Sequence, residues 1–177
     1  MNYAELKTYD IANGPGVRVS LFVSGCTRGC KECFNKIAWD FNYGKPFTQE
    51  TIDYILEKLK PSYITGLTIL GGEPFEPSNQ KGILPLLEAV RKTYPEKSIW
   101  CFSGYDFEED IMGRMCRELE ETPKILSLID VLVDGRFVTE LKSLDLKFKG
   151  SSNQRTILMK PTLEQGRIVL WDNESIV

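Results

Sequence analysis

Apolar positions recur along the chain with two different periods. Val17-Arg-Val-Ser-Leu-Phe-Val23 alternates apolar and polar residues and predicts a strand. Ile52, Ile55, Leu56 and Leu59 return at helical spacing. Thr48 stands where an N-cap belongs and Pro61 follows, so a helix is predicted from Thr48 to about Lys60. Leu67-Thr-Ile-Leu70 is a short buried strand that runs into Gly71-Gly72. A second helix is predicted from about Gln80 to Thr93, with Ile83, Leu84, Leu87 and Val90 on one face. Pro85 would fall in its first turns, where proline is best tolerated. Ser98 to Phe102 is a strand, and Asp106 can cap a third helix to about Glu121 with Ile111, Met112, Met115 and Leu119 inward. Ile129 to Val133 is a further strand. Ile157 to Met159 and Ile168 to Trp171 predict a hairpin around Glu164-Gln165-Gly166.

Strands alternating with helices predict an α/β protein, a parallel sheet covered by helices. Three predicted strands end in Gly-Gly-Glu, Ser-Gly-Tyr and Asp-Gly-Arg. Ligands bind at the carboxyl ends of parallel strands, and glycine there lets a ligand come close to the backbone. The chain has 177 residues, no repeat and no low-complexity linker, which predicts one domain over 1–177. A complete eight-fold barrel needs ~250 residues and is excluded.

Composition narrows the chemistry. With 42% hydrophobic and 27% charged residues the chain is ordinary for a soluble globular protein. No run of apolar residues reaches transmembrane length, and the amino end MNYAELKTYD has no apolar signal core, so the cytoplasm is the expected compartment. The net charge of −3 argues against nucleic-acid or membrane binding driven by counterion release. The chain contains no histidine. That removes Ser-His-Asp and Cys-His nucleophiles, histidine bases and His-ligated zinc or haem.

Of five cysteines, Cys26, Cys30 and Cys33 crowd into the segment Gly25-Cys-Thr-Arg-Gly-Cys-Lys-Glu-Cys-Phe-Asn35 with spacing C-x3-C-x2-C. In a reducing compartment such a cluster points to a metal rather than disulfides. Spacing alone leaves three readings open. Structural zinc takes four ligands, and neither Cys101 nor Cys116 forms a second knuckle. A ferredoxin-type carrier takes four cysteines per cluster. Three cysteines on a four-iron cluster leave one iron open to a small molecule, and this reading suits the spacing best. Cys101 lies in an apolar strand and Cys116 on a helix, which makes both packed thiols.

The cysteine spacing, followed by a strand that ends in Gly71-Gly-Glu-Pro74, resembles the radical S-adenosylmethionine (SAM) superfamily. More narrowly, the chain resembles the family of activating proteins for anaerobic ribonucleoside-triphosphate reductase, which generate glycyl radicals. The matching stretches are Asn13-Gly-Pro-Gly-Val-Arg18, Val23-Ser-Gly-Cys26, Cys33-Phe-Asn35, Gly71-Gly-Glu-Pro74, Val133-Asp-Gly-Arg-Phe137 and Gly150-Ser-Ser-Asn-Gln-Arg155. The resemblance implies a partial, open α/β barrel of the radical SAM type, shorter than a full barrel. It implies that Cys26, Cys30 and Cys33 hold a [4Fe-4S] cluster whose fourth iron is chelated by SAM. Gly71, Gly72 and Glu73 would line the methionine end, and a side chain at Gly72 should obstruct SAM while sparing the cluster. Glu32 and Phe34 would lie against the adenosine. Many superfamily members carry an aromatic residue immediately before the third cysteine, where this chain has Glu32. Ser103, Gly104 and Asp134 would complete the SAM site.

The implied reaction is reductive cleavage of SAM to methionine and a 5′-deoxyadenosyl radical. The radical takes a hydrogen from the Cα of a glycine near the carboxyl end of the reductase. No side chain need act as a general acid or base. The implied partners are the reductase and a low-potential electron donor such as flavodoxin or ferredoxin. A different small radical SAM enzyme and a non-catalytic metal or iron-sulfur module are the alternatives. Three readings stay open: whether Asp134 and Arg136 form an ion pair or meet a ligand, whether Arg155 is solvated or in contact, and whether Trp39, Phe41 and Tyr43 form a core strand or an exposed surface.

Overall fold

The computed structural model describes residues 1–33 and 35–173. Its centre is a seven-stranded mixed sheet in the order β3-β1-β2-β4-β5-β6-β7. The strands are β1 (Asn2–Asp10), β2 (Val17–Val23), β3 (Lys45–Pro46), β4 (Ile64–Gly71), β5 (Ser98–Phe102), β6 (Val131–Asp134) and β7 (Arg155–Leu158). From β2 through β4 and β5 to β6 the strands are parallel and follow chain order, while β1, β3 and β7 join antiparallel at the two sides. With no reversal of strand order, the right-handed crossovers lay their helices on one face. These are α1 (Gln49–Leu59), α2 (Pro77–Thr93), α3 (π-helical Phe107–Met115 with its continuation Cys116–Glu118) and α4 (Glu121–Leu128); α5 (Met159–Gln165) follows β7. Val19, Leu21, Leu67, Ile69, Ile99 and Leu132 point into the core beneath the helices. Among the described residues no helix is long and apolar enough to cross a membrane.

The opposite face of the sheet also carries a core, of Trp100, Val131, Val133 and Trp171. This changes the meaning of the alternation in β2. It predicts one wet face, yet Arg18 and Ser20 are fully buried. Arg18 satisfies its donors internally: Nε donates to Thr68 Oγ1 (2.7 Å), Nη1 to Ser98 Oγ (3.0 Å), and Nη2 to the carbonyls of Leu67 (2.8 Å) and Ser98 (3.0 Å). Its guanidinium also faces the Trp100 ring at 5.7 Å. A buried polar group is tolerated when its bonds are made, and here they are.

Other departures have local causes. β1, which the sequence did not predict, pairs with β2 through a ladder interrupted by two register shifts. Helix α2 begins at Pro77, so Pro85 lies well inside it rather than in its first turns. The single helix expected to Glu121 breaks at Leu119, whose backbone is extended. Pro123 tolerates only the first turn of a helix, so α4 starts anew at Glu121. The hairpin expected around Gly166 is instead α5, which Gly166 terminates in the left-handed conformation (φ 63°). The chain still returns beside β7, with Leu158 N donating to Val169 O (2.8 Å) and Trp171 N to Thr156 O (2.9 Å). Trp39 ends a short 3-10 helix (Lys36–Trp39), and Phe41 and Tyr43 occupy the turn after it rather than a strand.

Candidate metal and cofactor site

The cysteine loop leaves the carboxyl end of β2 and is tied at its root to the end of β4. Gly72 N donates to Val23 O (2.7 Å) and Glu73 N to Gly25 O (2.8 Å). The buried Asn79 of α2 donates from Nδ2 to Ser24 O (3.0 Å) and Glu73 O (2.9 Å). Gly25 N and Cys26 N donate to the carbonyls of Ala38 (2.8 Å) and Trp39 (3.2 Å). A Cβ on Gly72 would sit 2.5 Å from Gly25 O and 3.0 Å from Ala38 O. The glycine is therefore required by the protein's own backbone. This revises the expectation that a side chain there would obstruct a ligand and spare the loop.

Glu76 carries the next fastening, which the sequence reading did not single out. Its buried Oε1 accepts from Thr27 N (2.8 Å), Thr27 Oγ1 (2.5 Å) and Tyr105 OH (3.3 Å). The carboxylate at the start of α2 thus holds the loop between its first two cysteines. Cys33 N then donates to Cys30 O (3.2 Å), closing a turn in which Glu32 adopts a left-handed backbone (φ 58°). Phe34 lies outside the described residues.

Cys26, Cys30 and Cys33 are free thiols of intermediate exposure. All three line one cavity of about 500 Å³, together with Glu32, Gly71, Gly72, Glu73, Ser103 and Gly104. Its far wall is apolar, from Leu70, Phe102, Leu144 and Phe148. The other two cysteines stand elsewhere: Cys101 is buried in the core under the helices and Cys116 packs against that core. The donor set facing the cavity is therefore three thiols without a fourth. It does not supply the closed four-ligand shell of structural zinc, and it does fit a four-iron cluster with one iron left for another ligand. Burial pushes the Cys26 thiol up to about 11, with Glu73 and Glu76 adding to the rise. A bound metal must displace that proton.

Glu73 is buried beside this cavity. Its Oε1 accepts from Phe75 N (2.9 Å) and Ser103 Oγ (2.9 Å), and Oε2 from Gly104 N (2.7 Å). Burial raises it from its ordinary 4.5 to about 7 against the pull of these three donors. Ser103 and Gly104, predicted as separate contacts, act here on Glu73.

Asp134 is fully buried but faces away from the thiols, beside a neighbouring cavity of about 440 Å³. Its partner is Arg155 rather than Arg136. Arg155 Nε donates to Oδ1 (3.0 Å) and Nη2 to Oδ2, which also accepts from Phe107 N (2.9 Å). Arg155 further pairs with Glu108 (2.7 Å) and Asp106 (3.3 Å), and Asp134 first among these acids holds its guanidinium charged. Arg136 donates to Gly29 O (3.3 Å) on the cysteine loop.

Residues 12–157 match a family described as a 4Fe-4S single cluster domain. The chain is 42% identical over 156 residues to the anaerobic ribonucleoside-triphosphate reductase-activating protein of Escherichia coli (strain K12), covering 87% of this chain and 96% of that protein. The protein of that name from Vibrio cholerae serotype O1 is 40% identical over 157 residues (87% and 96%). That from Enterobacteria phage T4 is 39% identical over 155 residues (88% and 92%).

Proposed function

We propose that this chain, which belongs to the family of anaerobic ribonucleoside-triphosphate reductase-activating proteins, activates such a reductase as a 4Fe-4S- and SAM-dependent oxidoreductase. The observation that carries this reading is the cavity itself: three thiols of one loop open on it, and the remaining two cysteines lie elsewhere. Cys26, Cys30 and Cys33 would hold the cluster and would leave one iron open to SAM. When bound, cluster and SAM supply one-electron chemistry that ends in a glycyl radical on the reductase.

The chain's own residues bind, orient and exclude. Gly71 and Gly72 offer backbone to the methionine end, and Glu73 adds an acceptor for its amino group. Ser103 and Gly104 fix that carboxylate in place. Glu32, on the cavity wall, stands against the adenosine. Asp134 works through the turn it anchors at Phe107. The apolar wall of Leu70, Phe102 and Phe148 keeps water from the reacting centre. The sequential strand order supports a single-domain partial barrel over 1–177 whose open side admits a peptide segment. The net charge of −3 supports the absence of charge-driven nucleic-acid or membrane binding; the cytoplasm as compartment and a flavodoxin- or ferredoxin-like donor belong to the same proposal.

The test is anaerobic reconstitution with iron and sulfide, reduction, and incubation with SAM with and without the reductase. Formation of 5′-deoxyadenosine together with a persistent carbon-centred radical on the reductase is expected. SAM cleavage with turnover of a small molecule and no radical on a competent reductase would overturn the partner. No cleavage by protein carrying a full four-iron complement would overturn the activity.

A further inference from the structure

Arg28 stands between the first two cysteines of the loop and lines the thiol cavity. Its guanidinium is held over the ring of Tyr105, 4.4 Å from the centroid. Its Nε is buried and has no hydrogen-bond partner among the described residues. The other well-anchored arginines are different. Arg18 spends its donors on carbonyls and hydroxyls, Arg91 pairs with Asp130, and Arg155 pairs with three acids. A guanidinium that is ordered, partly desolvated and without an anion is an anion site awaiting its ligand.

The neighbours of Arg28 say which anion. A Cβ placed on Gly104 would lie 3.4 Å from Arg28 Cγ and 3.4 Å from Glu73 Oε2. The arginine stem and the Glu73 carboxylate therefore flank the same glycine. Gly71 and Gly72 line the same cavity. Acceptors and cations are thus brought together, the complement of an α-amino-acid head, and of the cations lining the cavity (Arg28, Lys142 and Lys149) Arg28 is the one that flanks the Glu73 carboxylate across Gly104. The carboxylate oxygen that is not given to iron stays available to accept from the guanidinium, a charge-assisted bond.

We propose that Arg28 binds the carboxylate of the methionine end of SAM and orders that end in the cavity. This rests on the reading that the protein binds SAM. The test is equilibrium dialysis with radiolabelled ligand on anaerobically reconstituted parent, Arg28→Gln and Arg28→Lys, each first assayed for iron. Two ligands are compared, SAM and decarboxylated SAM. Loss of a charge-assisted pair predicts that Arg28→Gln binds SAM about 10- to 100-fold more weakly, with Arg28→Lys between, while decarboxylated SAM binds parent and variant within about twofold. Equal affinity of parent and Arg28→Gln for SAM would overturn the proposal, as would the same proportional loss for both ligands. Loss of iron in both variants would also overturn it, placing Arg28 in the folding of the loop. If the iron-loaded parent itself fails to bind SAM, the failure belongs to the proposed function and not to Arg28 alone.

Discussion

Replacing Glu73 by glutamine should change how the stability of the protein responds to pH. The carboxyl is fully buried, and burial raises it from 4.5 to about 7 although three donors point at it. The unfolded chain releases this proton near 4.5, while the folded chain keeps it until about 7. Within that window the folded state binds more protons, so stability falls as pH rises, and above about 7 the loss is complete. At about 1.4 kcal/mol per pH unit the full penalty is about 3 kcal/mol, most of it developed between pH 5 and pH 8. The assay is anaerobic urea unfolding at several pH values, followed by tryptophan fluorescence, for the parent and Glu73→Gln. Glutamine cannot ionise, so the difference between the two curves isolates this group from every other carboxylate. A constant offset is expected as well, because an amide satisfies the Ser103, Gly104 and Phe75 donors less fully. The slope is the diagnostic. A difference curve that is flat from pH 5 to 8, or in which the parent gains on the variant as pH rises, would refute the reasoning.

Cys26→Ala, Cys30→Ala and Cys33→Ala should each abolish stable four-iron binding while Cys101→Ala and Cys116→Ala retain it, read as iron per chain after reconstitution. A cluster lost with Cys101 alone would contradict its place under the helices. Gly72→Ala should lower iron binding as well as SAM binding, because its Cβ meets Gly25 O at 2.5 Å; full iron with SAM binding lost would return the glycine to the ligand's side. Arg155→Gln should cost about 2–3 kcal/mol in urea unfolding, since it strands the buried Asp134, and should leave iron content unchanged; a loss below about 0.5 kcal/mol would make the pair a surface contact in energetic terms.

The sequence made the site more legible than the fold around it. Three cysteines in one loop and a Gly-Gly-Glu-Pro turn need no tertiary knowledge to be read as partners, and both line one cavity. Thr48 and Asp106 declare helix starts through local hydrogen bonds, and the structure has both, in the Thr48–Thr51 capping box and in Glu109 N donating to Asp106 (2.8 Å). What stayed hidden depends on distant residues. The burial of Arg18 follows from Thr68 and Ser98, some 50 and 80 positions away. The role of Glu76 follows from Thr27, 49 positions back. The wall formed by Leu144 and Phe148 comes from an irregular stretch with no period to read. Whether Asp134 pairs with Arg136 stayed open in the sequence because the residue that does pair with it, Arg155, is adjacent only in the sheet, across β6 and β7.

The three buried acids of this region share one task, which explains why a chain without histidine keeps so many of them at its strand ends. Glu73, after β4, accepts from Ser103 and Gly104, after β5. Glu76, at the head of α2, accepts from Thr27, after β2. Asp134, closing β6, accepts from Phe107 at the head of α3 and from Arg155 on β7. Each carboxylate therefore ties one strand end to that of a strand beside it in the sheet. Backbone N–H groups at these ends have no ladder partner, and a buried carboxylate satisfies several at once with charge-assisted bonds. The result is a chain of fastenings along the strand ends from β2 to β7, with Glu73 on the thiol cavity and Asp134 on the neighbouring one. Carboxyl groups bonded in this way hold the mouth rigid. The half-buried Arg28, over Tyr105, is a charge on this cavity with a buried donor still to give.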